Sequence, residues 1–541
     1  MKKLLLVIAF LISLPFFGQE DAWVHLQDKP NSDTYLATPL TMLSQRALER
    51  RARQNISLDM KDVPLDAGYY AQIKNANGIT VLAKSKWLNA IHVQGTQEDI
   101  NNLPSIFPFV AQIEFAHTSL NTIGKSAQRS SHSKNKNKFA AMKTSYNYGT
   151  TSTQVTMLNA DFLHQEGYTG AGMHIAVIDA GFPNVNELLA FQKLRDNGQI
   201  LGGYDFVNRS TNFYTGNNHG TNVLSDIAGY IDGVFVGTAT DASFYLFISE
   251  DVANEVPLEE SLWVEAAERA DSLGVDVINT SLGYTTFDNA NYNHSYEDMD
   301  GKTTFISRGA EIGASRGMML VNAAGNSGSS SWKYMGAPAD AAGVFTVGAV
   351  DALEDIASFS SFGPTADNRI KPDVLAHGEN VFVIDHLTGS PKPSNGTSFS
   401  SPVMSGVVAC FWQAFPYLTS AEVRQLIRAS ADRYNNPDEQ YGYGVPDFKS
   451  AYRAVLNIDK ENFMNTTTIF PNPVNNVFTI KTNENNSIGL SIKIYNLFGS
   501  KVSEKVNLKS NTIEVSALNA GIYILKVTNG ASQKTFKLVK N

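Results

Sequence analysis

Cysteine is nearly absent: Cys410 is the only one in 541 residues, so no intrachain disulfide can form and packed cores must supply the stability. An excess of positive charge is absent too. Lys and Arg number 43 against 52 Asp and Glu, a net −9, which argues against nucleic-acid binding or a polybasic membrane role. Beyond the amino terminus no apolar run approaches the roughly 20 residues that cross a bilayer. The run at the terminus, Leu4 to Phe17 behind Lys2 and Lys3, is too short to span and reads as an export signal over 1–19, cut near Gly18 to Glu20.

What is present suffices for several cores. Hydrophobic residues make up 43% of a chain that a prior of about 150 residues per domain divides into three or four units. Residues 20–117 carry strand signals at Leu88–Val93 and Val110–Phe115, and Thr96 caps a helix with Glu98 and Asp99 in its first turn. Residues 118–145 include the polar, basic Ser126–Lys138, which reads as an exposed linker open to nicking. From 146 to 458, β-rich runs at Phe244–Ser249, Val275–Leu282, Met318–Ala323 and Phe345–Val350 alternate with helical stretches. In one of these Pro257 opens a helix, Leu258, Leu262, Ala266, Ala270 and Leu273 form its apolar stripe, and Gly274 ends it. The alternation predicts an α/β fold, a doubly wound and mostly parallel sheet. A polar hinge follows at 459–468. Residues 469–541 alternate short strands with Asn-rich turns, the pattern of a small β-sandwich.

Three segments of the central unit carry chemistry. Ser394-Asn395-Gly396-Thr397-Ser398-Phe399-Ser400-Ser401-Pro402 places a serine where a tight loop enters a helix, with Pro402 expected in the first turn and Thr397 and Ser400 bonding loose backbone groups. The helix dipole there favours a developing negative charge. Met173–Asp179 is a β-branched strand ending in an acid, and catalytic groups of open α/β sheets gather at such ends. His219 lies in the glycine-bracketed loop Gly216–Thr221. Each alone also reads blandly, as a turn cap, a loop histidine or a capped buried helix. Together they describe one geometry in the order Asp, His, Ser.

Asp-x-Gly after a strand, His-Gly-Thr, and Gly-Thr-Ser-Phe-Ser-x-Pro, in that order, resemble the subtilisin-like serine proteases. Met318–Gly328 resembles the strand and turn carrying that family's oxyanion asparagine, here Asn326. The resemblance runs from about Asn159 to Leu456 and implies a secreted endopeptidase. Ser398 is the implied nucleophile, His219 the base that takes its proton, and Asp179 the group orienting His219. Asn326 and the Ser398 backbone N–H are the implied oxyanion donors. Ser281, Leu282 and Gly283 resemble the strand that binds substrate backbone in this family. Two departures stand out: Ala180 follows the aspartate where the family commonly has Ser or Thr, and Asn222 follows His-Gly-Thr where it often has His. Neither touches the triad.

Residues 20–117 resemble the propeptides of the same family, which assist folding and block the cleft. With them, 118–145 becomes the activation linker. The opening Ile469-Phe470-Pro471-Asn472-Pro473, the segment Ile494-Tyr495-Asn496 and Gly521-Ile522-Tyr523 resemble the carboxy-terminal sorting domain of type IX secretion cargo. The implied partners are protein or peptide substrates and that secretion machinery, with no nucleic acid, for a monomer at the cell surface or in the medium. No metal site and no required cofactor are expected. Glu297, Asp298 and Asp300, in the long loop Tyr284–Gly301, are acidic enough for calcium but read by default as a solvated loop. A catalytically silent, surface-attached adhesion protein on the same fold is the alternative function.

Overall fold

The computed structural model describes residues 18–121, 146–482, 490–506, 508, 510–529 and 532–541. The expected signal up to residue 17 and the linker over 122–145 lie outside them. The first unit is a four-stranded antiparallel sheet of β1 (Gln19–Leu26), β2 (Thr80–Ser85), β3 (Ala90–Thr96) and β4 (Val110–Phe115), ordered β2-β3-β1-β4. Its helices include α1 (Gln45–Arg53), α2 (Ala67–Lys74) and α3 (Gln97–Ile106). Thr96 caps α3 as expected, its hydroxyl accepting from the Asp99 N–H at 3.1 Å. Ala22, Val24, Ile91 and Val93 alternate inward and meet Ile100 and Leu103 of α3 in a small core.

Seven strands make the central sheet: β5 (His174–Asp179), β6 (Ile200–Asp205), β7 (Ser243–Ile248), β8 (Val277–Thr280), β9 (Met319–Ala323), β10 (Phe345–Val350) and β11 (Val374–His377). Their order is β11-β10-β9-β8-β5-β7-β6, and every pairing is parallel. Every residue of β8, β9 and β10 is buried, because helices cover both faces; continuous apolar runs are the sequence mark of that environment. The chain winds one way from β5 to β6 and β7 and the other way from β8 onward. The crevice at that reversal opens at the carboxyl end of β5.

Helices α4 (His219–Ala228), α5 (Leu258–Leu273), α6 (Phe305–Ser315), α7 (Thr397–Ala414), α8 (Ser420–Ala429) and α9 (Phe448–Thr466) flank the sheet. Pro257 and Gly274 bound α5 as the sequence predicts, Gly274 taking φ 83°, a left-handed value that favours glycine. Helix α7 packs against β8, β9, β10 and α4. It is buried from Gly396 through Trp412, which explains a sequence apolar on all sides. Cys410 is fully buried on it, its thiol donating to the Thr238 carbonyl at 3.1 Å, a small core residue as expected.

The last unit is a sandwich. One sheet is ordered β12 (Thr468–Phe470), β13 (Val477–Lys481) and β16 (Thr512–Glu514). The other is ordered β15 (Lys501–Lys505), β14 (Ser491–Tyr495), β17 (Gly521–Asn529) and β18 (Ser532–Lys540). The hinge expected at 459–468 is not there: α9 runs unbroken through Thr466. Tertiary burial overrides the polar composition, because Phe463, 1% exposed, inserts into the sandwich core beside Val474 and Phe478. Phe448, Ala451 and Val455 of the same helix lie in the core of the central unit. Among the described residues no helix is long and apolar enough to cross a membrane.

Candidate active site

Asp179 ends β5 and is fully buried. The chain then turns at Gly181, φ 150°, where a side chain would meet the Thr215 carbonyl at 2.4 Å. That close approach draws the loop Thr215–Asn217 against Ala180–Phe182, with the Asn217 N–H donating to the Ala180 carbonyl at 2.9 Å. His219 is thereby the first residue of α4, so the helix begins inside the glycine-bracketed loop Gly216–Thr221. The Asn217 side chain accepts from its N–H at 2.9 Å. Gly220 follows because a Cβ there would lie 2.4 Å from the Gly181 carbonyl.

The result is a hydrogen bond of 2.8 Å between His219 Nδ1 and Asp179 Oδ1. The Ala180 N–H also donates to Oδ1, at 2.8 Å. Oδ2 of Asp179 is buried with no hydrogen-bond partner, and the next residue, Ala180, has no hydroxyl to offer one. Burial pulls the His219 pKa down, but the Asp179 charge and hydrogen bond, with Glu250 adding to them, outweigh it and raise it above the usual imidazole value.

Ser398 is the second residue of α7 and 8% exposed. Its hydroxyl donates to the Ser281 carbonyl at 3.4 Å, and the ring of the next residue, Phe399, stands 6.0 Å from that of His219. Pro402 sits in the second turn of α7, not the first. An interior proline leaves the carbonyl four residues back without its donor. That carbonyl belongs to Ser398, and the Ser281 hydroxyl supplies the missing bond at 2.9 Å. Ser281 and Ser398 are thus locked backbone to side chain. Ser400 donates to the Thr397 carbonyl at 3.0 Å, within the first turn.

Asn326 follows β9 in an exposed turn. Its Oδ1 accepts from the Thr397 N–H at 2.9 Å and the Thr397 hydroxyl at 3.1 Å. Its Nδ2 lies 3.6 Å from where a Cβ on Gly396 would stand, so the amide's donating end lies over the loop before Ser398. Asp179, His219, Asn326 and Ser398 therefore converge on the carboxyl end of the sheet. Ser281, Leu282 and Gly283 lie just past β8, which ends at Thr280, two residues short of the expected run Val275–Leu282. They run from buried Ser281 to exposed Gly283.

In the Tyr284–Gly301 loop Glu297 is exposed and Asp298 and Asp300 are half-buried. Asp298 accepts from the Ser295 N–H at 2.7 Å, and Asp300 from the Lys302 and Thr303 N–H groups at 2.7 and 2.8 Å, so both stabilise local turns. Tyr292 of this loop reaches the first unit, its hydroxyl donating to Glu20 at 3.2 Å. Among the described residues, three carboxylates come together elsewhere: Glu250, Glu255 and Glu259, within 4.8 Å of one another. Sequence reasoning missed them because they combine the end of β7 with the start of α5. Tyr284 donates to Glu250 at 2.6 Å. Burial and mutual repulsion raise the pKa values of Glu250 and Glu259.

Three family models match successive parts of the chain. Residues 170–444 match the family model of the subtilase family. Residues 21–137 match the peptidase S8 propeptide domain of Bacteroidota, and 468–541 the secretion system C-terminal sorting domain. The chain is 31% identical over 327 residues to serine protease AprX of Bacillus subtilis (strain 168), covering 54% of this chain and 69% of that protein. It is 32% identical over 302 residues to subtilisin E of the same organism, covering 55% and 70%. Among solved structures, MycP1 from Mycobacterium smegmatis is 25% identical, covers 59% of this chain and 89% of its own, and superposes with a TM-score of 0.44.

Proposed function

The chain belongs to the subtilase family, and on that premise we propose that Asp179, His219 and Ser398 are its catalytic triad and Asn326 its oxyanion donor. The protein is a serine protease made as a precursor and exported, its tail read by the type IX secretion machinery. Its substrates are proteins or peptides. Residues 20–117 act as the propeptide, 118–145 as the activation linker, 146–458 as the peptidase domain and 469–541 as the sorting domain.

The observation that carries the triad is the 2.8 Å bond from His219 to buried Asp179, beside a serine at the head of a buried helix. On substrate binding, Ser398 turns from the Ser281 carbonyl toward His219 and attacks the scissile carbonyl carbon. His219 takes the hydroxyl proton, and Asp179 stabilises the imidazolium. The carbonyl oxygen becomes an oxyanion held by Asn326 Nδ2 and the Ser398 N–H. Collapse breaks the C–N bond, the amine leaves with the proton from His219, and water repeats the sequence on the acyl-enzyme. Ser281, Leu282 and Gly283 receive the substrate backbone as an added strand. No cofactor is needed, because the four groups supply nucleophile, base, orienter and donor. All four come from one chain, so a monomer suffices.

The silent-adhesion alternative has no observation in its favour. A serine-directed phosphonate on the processed enzyme tests the assignment. The expected product carries the label on Ser398, and Ser398→Ala should lose both label and peptidase activity while keeping its fold. Labelling of another residue, or full activity in the Ala variant, overturns it.

A further inference from the structure

The propeptide grips the peptidase domain in two separate places. One is the face of its sheet. Trp23 stacks on Phe305 at 4.6 Å and donates to the Ser261 hydroxyl at 2.8 Å. Glu268 of α5 accepts from the Ser85 hydroxyl at 2.6 Å and the Trp87 N–H at 2.9 Å.

The other place is α1 with the turns after it, at the opposite end of the sheet from the cleft. Arg46 donates to the Gly172 carbonyl at 2.8 Å and pairs with Asp276. Arg50 pairs with Asp271 and donates to the Val275 carbonyl. Arg51 bridges Asp271 at 2.7 Å and Asp62, within the propeptide, at 2.9 Å. Gln54 donates to the Gly317 carbonyl at 2.6 Å and accepts from the Ser420 N–H at 3.0 Å. Gly172, Asp276 and Gly317 stand just before β5, β8 and β9, whose far ends carry Asp179, Ser281 and Asn326. One short helix and the residue that caps it, Gln54, thus span the starts of three neighbouring parallel strands that lie far apart in sequence.

The Arg50, Arg51 and Asp271 charges at this contact are sealed. The side chains of Arg50 and Asp271 are 0% exposed, and that of Arg51 is 2% exposed. Against the burial that would raise it, the Arg50 and Arg51 charges hold the Asp271 carboxyl below its usual value. A sealed pair is screened little by salt, and removing one member strands the other. Such a contact discriminates strongly for its own partner.

We propose that the acidic hollow at the strand starts, built around Asp271 and Asp276, is a second docking surface whose occupant is the basic helix α1, and that this surface, remote from the cleft, decides whether a cut propeptide stays bound. The proposal rests on the reading of residues 20–117 as propeptide. It assigns the retention of the cut piece to Arg46, Arg50, Arg51 and Gln54, independently of any chain in the cleft.

The test uses the folded full chain carrying Ser398→Ala and an inserted protease site within 122–145. The linker is cut after folding, and the two pieces are followed by size exclusion at rising salt. With an unaltered arm they should co-migrate through about 0.5 M NaCl. Arg46→Gln with Gln54→Ala should weaken association about tenfold or more. Asp271→Asn combined with Arg51→Gln should cost less than the sum of the single changes. Arg46 is 29% exposed, so its variant decides the matter even where the buried ones fail to fold. Unchanged association of the Arg46 and Gln54 variant, with dissociation on Trp23→Ala alone, overturns the proposal. The propeptide reading is checked apart from this by phosphonate labelling of the cut chain with Ser398 intact. Full labelling while the pieces still co-migrate would refute inhibition and leave the docking surface standing.

Discussion

Asn326 and Thr397, 71 residues apart, are joined twice, the backbone N–H and the hydroxyl of Thr397 both donating to Asn326 Oδ1 at 2.9 and 3.1 Å. The same hydroxyl accepts from the Gly325 N–H at 3.0 Å. The amide therefore cannot flip without losing two bonds, which in the proposed oxyanion role fixes which end faces the substrate. A donor so held in the proposed role would need no reorientation as charge develops.

Replacing Asn326 with Leu should lower kcat about 10²–10³-fold with little change in KM, the magnitude measured for the corresponding loss in subtilisin. Thr397→Val keeps the backbone bond and loses the hydroxyl, so kcat should fall by a smaller factor, about tenfold. Steady-state kinetics on a peptide substrate checks both. A loss confined to KM would make Asn326 a binding residue instead.

Much of the site was legible in sequence because each catalytic group sits beside residues that a backbone constraint dictates. Gly181 and Gly220 are required by close approach around Asp179 and His219, and Pro257 and Gly274 bound α5 by their own stereochemistry. What could not be read depends on contacts distant in sequence. Pro402 lies a turn deeper than expected because Ser281 satisfies the carbonyl it frees. The polar stretch after Ile458 is helical because Phe463 finds a core made by strands that come later. The carboxylates of Glu250 and Glu259 meet only after β7 and α5 fold.

The pH–rate profile follows from His219. Only neutral His219 can accept the serine proton, and its pKa is raised, so kcat/KM should fall as pH drops through a value above about 6.5. Glu250 contributes to that rise. Glu250, its own pKa raised to about 7, carries only part of its charge on the acid limb, so Glu250→Gln should move that limb slightly to lower pH. A limb that stays put, or moves to higher pH, would show that Glu250 exerts no field at the triad.

Asp179 Oδ2 is a buried acceptor lacking a donor, next to an alanine. Ala180→Ser offers a hydroxyl there, and a hydrogen bond to a charged group is worth about 1.5–3 kcal/mol. The variant should therefore unfold at a higher temperature, with the stabilisation lost on a second change of Asp179 to Ala. Equal stabilisation in the Asp179→Ala background would mean that the hydroxyl bonds something else.

Deleting Thr468–Asn541 separates export from catalysis. All four catalytic groups lie upstream, and Phe448, Ala451 and Val455 keep the first half of α9 in the peptidase core. The purified, processed variant should retain full kcat/KM. It will not be neutral everywhere, because Phe463 loses its cover of Val474 and Phe478, and Lys534 no longer donates to the Thr467 carbonyl. The end of α9 should fray and become sensitive to added protease, and a deletion beginning at Asp459 should remove that sensitivity without touching activity. In the native host both truncated forms should accumulate in the periplasm, since the segment matching the sorting domain is gone. Normal export of either form would remove the sorting role from residues 468–541. Lost activity in both would place the sandwich, through the rigid helix, among the supports of the peptidase domain, and a loss limited to the longer deletion would trace it to the second half of α9 alone.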